Sequence, residues 1–329
     1  MPEKDKIKII ESFKDKRVMV IGDAMLDAYW VGKANRLSPE APVPVLSVSE
    51  KTFKPGGAAN VALNIKHLHA IPYLFTIVGN DDAGQKLINI LKEEQINIEG
   101  CIIIKNRIST VKTRIISHSQ HILRIDEEQT NELSEKEKAV IKQKILKGID
   151  TIKPHAIIFE DYDKGVLSED LIKSVIHKAN ALKIPIAVDP KYKNFWHYQQ
   201  VTLFKPNLRE LCDATETNIQ AKNIDSVING DKALRKKLKN NIALITLSEH
   251  GVYISDKKNN YRLPAHSRNI TDVSGAGDTV ISVAALCLAA KTNIYDLAYL
   301  SNLAGGLVCE KSGVVPITAQ QLIQEITHK

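Results

Sequence analysis

The chain has 329 residues with 45 Lys and Arg against 38 Asp and Glu, a formal net charge of +7. That length buries a sizeable core without staples, and the small positive excess suits an anionic substrate without demanding nucleic acid. The four cysteines, Cys101, Cys212, Cys287 and Cys309, are widely separated with no CxxC pair, which argues against a secreted disulfide framework and for a reduced, cytoplasmic setting.

The N-terminal MPEKDKIKIIESFKDKR mixes charge with Ile9, Ile10 and Phe13 at helical spacing, so a surface helix is expected rather than a signal peptide. Short apolar runs then alternate with helical patterns: RVMVIGD (17–23), YLFTIVGN (73–80), AIIFED (156–161), IPIAVDP (184–190), VTLFKPN (201–207) and IALITLS (242–248). Continuous Val/Ile runs separated by helices are what a parallel sheet buried on both faces requires, and they predict an α/β/α architecture.

Two regions depart from this pattern. Prolines in 29–55 favour extended, edge-like chain, and CIIIKN, TVKTRIIS and HILRIDEE within 101–128 alternate apolar with polar residues, with SHSQ (117–120) as a hairpin tip. Together they predict a small second sheet acting as a lid inserted in one domain. ALRKKLKNN (233–241) reads as a solvated helix face, and VISVAALCLAA (280–290) as a buried helix, well short of the roughly 20 residues a membrane span needs. No membrane or nucleic-acid partner is expected.

In an open α/β sheet, ligands gather outside the carboxyl ends of the strands. The residues there are polar: Gly22, Asp23 and Asp27; Gly79, Asn80 and Asp81; Asp161 and Lys164; Asp189 and Lys191; Asn207 and Glu210; Ser248 and Gly251. The stretch DVSGAGDTV (272–280) lacks the third glycine of a dinucleotide fingerprint, and the single GK dipeptide, Gly32-Lys33, does not complete a Walker A loop. What remains is a glycine turn opening a helix, where the amides of Gly275, Ala276 and Gly277 could hold a transferring phosphoryl group while Asp278 accepts a hydroxyl proton. On local sequence Asp278 could equally be the helix N-cap.

Asn207 and Glu210 in PNLRE share one face of a helical turn and could organise Mg²⁺ waters beside nucleotide phosphates, although a cap explains Asn207 as well. In KPGGAANVALNI (54–65), a turn leading into a helix, Gly56 and Gly57 leave room for a ligand and Asn60 offers bidentate hydrogen bonds to sugar hydroxyls, with close helix packing as the alternative. The histidines form no zinc-binding pattern.

PGGAANVA and DVSGAGDT, in this order and separation, resemble the two motif blocks of the ribokinase-like (phosphofructokinase-B type) sugar kinases, and the likeness extends along nearly the full chain. The resemblance implies a three-layer α/β/α sandwich with a mostly parallel sheet and a β lid over the sugar. It places Asp278 on the family's base and Gly275, Ala276 and Gly277 on its anion hole. It also implies ATP and Mg²⁺, with sugar contacts from Asp23, Asp27, Gly56, Gly57 and Asn60. Asn207 and Glu210 match the motif tied to Mg²⁺ and phosphate, Ser248, Gly251 and Asn302 fall on the nucleotide side, and the backbone near Asp272 falls on a monovalent cation (K⁺) site.

GDAMLDAYWVG, NRLSPEAPVPVL (35–46), EDYDKG, DPK and PNLRE are most similar to the branch of that family acting on D-glycero-D-manno-heptose 7-phosphate at its anomeric hydroxyl, in ADP-heptose and lipopolysaccharide-core synthesis. Glu160 departs from the pattern, standing where a small residue is expected before Asp161-Tyr162. Another sugar or sugar phosphate, such as a fructose phosphate or ribose, is the alternative substrate. A 7-phosphate needs a cationic pocket, for which Arg36, Lys112, Arg114, Arg124, Lys164 and Lys191 are candidates; alternation puts Lys112 and Arg114 on one face. In many members of the branch an adenylyltransferase domain is fused to the kinase. Since the chain ends at Lys329, that activity is expected on a separate protein. A homodimer through the lid is also expected, because the lid's apolar face would otherwise be exposed.

Overall fold

The computed structural model describes residues 3–118, 120–266 and 268–328. In chain order the strands are β1 (Arg17–Gly22), β2 (Ala24–Leu37), β3 (Pro44–Gly57), β4 (Ile71–Gly79), β5 (Cys101–Ile104), β6 (Val111–Ser117), β7 (Gln120–Glu127), β8 (Ala156–Glu160), β9 (Ile186–Asp189), β10 (Leu203–Phe204), β11 (Ile242–Thr246), β12 (Val252–Ser255) and β13 (Asn260–Leu263). They form a nine-stranded sheet in the order β13-β12-β11-β10-β9-β8-β1-β4-β5 and a four-stranded sheet in the order β3-β2-β6-β7. From β11 to β5 the large sheet is parallel; β12 and β13 extend it antiparallel.

The apolar runs are continuous because both faces of the large sheet are covered. Along β1, Val18 and Val20 join a core formed with helices Ala58–His67, Ala276–Ala289 and Ile294–Val308. Met19 and Ile21 point the other way, into a core with helices Glu135–Ile152, Glu169–Ala181 and Ile224–Leu238. The N-terminal helix Glu3–Glu11 lies at the surface but buries Ile10, with Phe13 just beyond it. No helix among the described residues is long and apolar enough to cross a membrane.

The lid differs from expectation at its boundaries. It comprises Ala24–Gly57 with Val111–Glu127, whereas Cys101–Ile104 pairs in parallel with β4 and completes the main sheet. A short run reads alike at the edge of either sheet, and here the register sets Cys101 beside Thr76 and Ile104 beside Gly79 of β4. The β6–β7 hairpin forms with Ser117 opposite Gln120; Ser119 lies outside the described residues.

Gly56 and Gly57 also differ from expectation: they end the long strand β3 instead of forming a turn. A Cβ on Gly56 would run into the Asp27 carboxylate, and Gly57 takes φ 56, so both positions require glycine where the lid meets the helix Ala58–His67. The lid's outermost strand leaves Ile122, Leu123 and Ile125 exposed in the single chain.

Candidate active site

Gly275 takes φ 77 and is the N-cap of the helix Ala276–Ala289 without a side-chain cap. Asp278 is therefore not the cap but the third helical residue. Its carboxylate is 3% exposed and accepts hydrogen bonds from Asn60 Nδ2 at 2.7 Å and the Tyr162 hydroxyl at 2.9 Å. Burial raises its pKa to about 6; the two donors oppose the rise, and the negative charges of Asp189 and Asp27 reinforce it. A carboxylate in this range is ionised at neutral pH yet is a stronger proton acceptor than an ordinary aspartate.

Of the three turn amides expected to hold an anion, one is already engaged. The amide of Ala276 donates to the Val273 carbonyl at 3.3 Å, which leaves those of Gly275 and Gly277 for an anion. Beneath them, strand register brings Gly22 (β1), Glu160 (β8), Asp189 (β9) and Lys205, which follows β10, into one row at the carboxyl edge. Lys205 Nζ meets Asp189 Oδ2 at 2.7 Å, and the Lys205 side chain is 3% exposed. Burial would lower the Lys205 pKa, but the adjoining Asp189 outweighs it and the ammonium is held above its usual range. Both Glu160 oxygens are buried without a hydrogen-bond partner among the described residues. Burial, with the negative charges of Asp189 and Asp278 nearby, pushes the Glu160 carboxyl well above the usual carboxylate range.

Above the turn lies a cavity of about 340 Å³. Its floor is Gly275, Asp278 and Tyr162, and its apolar side is Met25, Gly57 and Val314. Its wall is cationic: Lys112, Arg114 and Arg124 from β6 and β7, and Lys164 and Lys191 from the turns after β8 and β9. Asp27 enters from β2 and is paired with Arg114. Burial raises the Asp27 pKa despite that guanidinium.

Several residues expected to touch a ligand are used elsewhere. The Asp23 carboxylate accepts from the amides of Tyr162, Lys164 and Val166 at 2.9, 3.0 and 3.1 Å, so it shapes the turn after β8 instead of lining the cavity. Asp161 is turned inward, bonded to the Tyr198 hydroxyl at 2.5 Å and Asn194 Nδ2 at 3.0 Å. Asn60 reaches Asp278 and lies outside the cavity lining, and Gly56 packs on Asp27. Arg36 is exposed near the far end of β2, roughly 30 Å along the strand from Asp27 at about 3.3 Å per residue, and outside the cavity.

On the other side of the turn, Asn207 caps the helix Leu208–Thr215 in a reciprocal capping box with Glu210, so the structural role is real. The second oxygen of Glu210 meets Lys191 Nζ at 2.6 Å. Gly251, at φ 86, closes the turn after Ser248 against Leu263 and Ala265, and Asn302 Nδ2 donates to the Pro264 carbonyl at 2.8 Å, which gathers the nucleotide-side candidates. Asp272 accepts from the amides of Ser274 and Gly313, each at 2.9 Å.

Sequence reading missed Tyr162 and Lys205. Both were visible as polar residues just after a strand, but what each touches depends on strands far away in sequence.

A family model described as pfkB family carbohydrate kinase matches residues 15–320. The chain belongs to this family of carbohydrate kinases. It is 37% identical over 313 residues to the bifunctional protein HldE of Magnetococcus marinus, covering 94% of this chain and 64% of that protein. The kinase thus spans slightly less than two thirds of the curated relatives it matches. The fold is that of phosphofructokinase-2 from Escherichia coli, solved with potassium (TM-score 0.78, 17% identity, 95% of this chain and 99% of that one). It is also that of a putative ribokinase from Agrobacterium tumefaciens (TM-score 0.73, 17% identity, 95% and 98%).

The kinase uses ATP with a divalent metal, as its family implies. Among the described residues no three His, Cys, Asp or Glu side chains converge as a metal cage. A donor set without such a cage suits a divalent ion carried largely by phosphate oxygens and waters.

Proposed function

We propose that this kinase transfers the γ-phosphoryl group of ATP to the anomeric hydroxyl of D-glycero-D-manno-heptose 7-phosphate, giving heptose 1,7-bisphosphate. The observation that carries this reading is one cavity holding both the buried carboxylate of Asp278 and a wall of cationic side chains. The wall supplies charge for a phosphate the sugar already bears, and Asp278 lines the same cavity as the group that would accept the proton of a reacting hydroxyl.

In the reaction Asp278 accepts the hydroxyl proton as the sugar oxygen bonds to the γ-phosphorus and the bond to the ADP oxygen breaks. Asn60 and Tyr162 hold the carboxylate in position, and the amides of Gly275 and Gly277 with the helix N-terminus stabilise charge on the equatorial phosphoryl oxygens. Glu210 and Asn207 would hold the waters of a Mg²⁺ ion, which when bound would offset charge on the nucleotide phosphates. Ser248, Gly251 and Asn302 border the nucleotide, and the backbone around Asp272 is a candidate monovalent cation site. Likeness to the HldE proteins supports a role in lipopolysaccharide precursor synthesis, with adenylyl transfer as a further step. The exposed apolar residues of β7 support pairing of two lids in a cytoplasmic homodimer.

A coupled ADP-release assay over heptose 7-phosphate, free heptose, fructose 6-phosphate and ribose tests the substrate. Heptose 7-phosphate should give the highest kcat/KM, and preference for an unphosphorylated sugar would overturn the reading. Replacing Lys112, Arg114 or Lys191 with Met should raise KM for the phosphorylated sugar selectively.

A further inference from the structure

The cationic wall is already neutralised from within the lid. Lys112 Nζ lies 3.2 Å from Asp126 and 3.7 Å from Glu128, and Lys164 Nζ lies 2.9 Å from Glu128. Arg124 donates to both oxygens of Asp126, at 2.8 and 3.0 Å. Register dictates this arrangement: across β6 and β7, Lys112 stands opposite Asp126 and Arg114 opposite Arg124, so all four side chains rise from one face. Like charges directly opposite on neighbouring strands destabilise a sheet unless something compensates. Here the two arginines are flanked by carboxylates, Asp27 on one side and Asp126 on the other. Glu128, just past β7, reaches out of the lid to Lys164 in the turn after β8, tying lid to body.

We propose that Asp126 and Glu128 are resident counter-ions of the phosphate pocket: the phosphate of the sugar substrate displaces them, so they set how tightly the pocket holds any phosphate group. The proposal rests on the reading above, that the cavity takes a phosphorylated sugar. Bare phosphate must displace the carboxylates with its own charge alone, whereas a sugar phosphate adds hydroxyl contacts along the cavity. The exchange is accessible because the side chains of Asp126 and Glu128 are 26% and 28% exposed, so each can turn to solvent when displaced. The guanidinium of Arg114 then remains paired with Asp27 while Arg124, Lys112 and Lys164 become free for the incoming phosphate.

The test uses Asp126→Asn and Glu128→Gln in the full chain, titrated with inorganic phosphate by calorimetry and assayed for phosphate inhibition competitive with the sugar phosphate. Each variant should bind phosphate about three- to tenfold more tightly than the wild type, as expected for removing the two partly exposed competing ion pairs that each carboxylate makes. KM for the sugar phosphate should fall by a similar factor, because its phosphate displaces the same carboxylates. Glu128→Asp keeps the charge and should restore wild-type phosphate binding; behaviour like Glu128→Gln would mark a merely structural role and overturn the proposal. Phosphate binding equal to the wild type in both neutral variants, or a raised KM for the sugar phosphate, would also overturn it. Arg114→Met separates the two levels. If it weakens the sugar phosphate while the neutral variants leave phosphate binding unmoved, the counter-ion proposal alone fails; if phosphate binds no form of the protein and Arg114→Met leaves KM unchanged, the pocket reading fails as well.

Discussion

Asn60 and Asp278, 218 residues apart in the chain, are joined by a 2.7 Å hydrogen bond in the buried floor of the cavity. That contact fuses the two glycine blocks into one device. The PGGAAN segment positions the carboxylate, and the GAGD turn presents it to the cavity. The Tyr162 hydroxyl on the other oxygen, at 2.9 Å, completes the clamp and leaves outward lone pairs for a proton.

If Asp278 accepts the hydroxyl proton, Asp278→Asn should keep ATP and sugar binding while turnover falls by about a hundred- to ten-thousand-fold, the usual range for a general base. Isothermal titration and steady-state kinetics on one preparation check this. Near-normal kcat would remove the assignment.

The pH profile follows from the same clamp. With Asp278 titrating at about 6, kcat/KM should fall as the pH drops through that value, because the protonated acid cannot accept a proton. Tyr162 lowers this pKa, so Tyr162→Phe should move the acidic limb to higher pH. An unmoved limb would mean that another group titrates.

Glu160 makes a separate prediction about stability. In the unfolded chain it ionises near 4.5, whereas burial keeps it protonated well above that in the folded protein. The folded state therefore holds the extra proton, and stability is lost as pH rises above about 4.5, the loss levelling off above the folded pKa. Glu160→Gln cannot ionise, so its Tm should exceed that of the wild type at pH 8, with the gap closing toward pH 4. A pH-independent gap would contradict the buried, protonated state.

Asp161 is assigned to the fold rather than to the sugar, and Tyr198→Phe tests this. Removing the hydroxyl leaves a 1% exposed carboxylate short of a donor, which should cost about 1.5–3 kcal/mol in urea denaturation. KM for the sugar should be nearly unchanged; a large rise in KM at unchanged stability would return Asp161 to the binding site.

The sequence alone determined the layered α/β architecture, because Val18 and Val20 on one face and Met19 and Ile21 on the other form one uninterrupted apolar run, readable without tertiary information. It also singled out Asp278, because a carboxylate beside a glycine turn conflicts with every simple phosphate loop and so calls for a chemical role. Tertiary structure decided which strand-end acids face the cavity. Asp23, Asp27 and Asp161 look alike in the chain, yet Asp23 holds three amides, Asp161 holds Tyr198 and Asn194, and Asp27 enters the cavity. It also decided the row of Glu160, Asp189 and Lys205, and the pairing of Arg114 and Arg124 with lid carboxylates. Local periodicity sets which face of a strand a side chain takes, but the partner it meets there is fixed by the register of other strands, and no single stretch of sequence encodes that register.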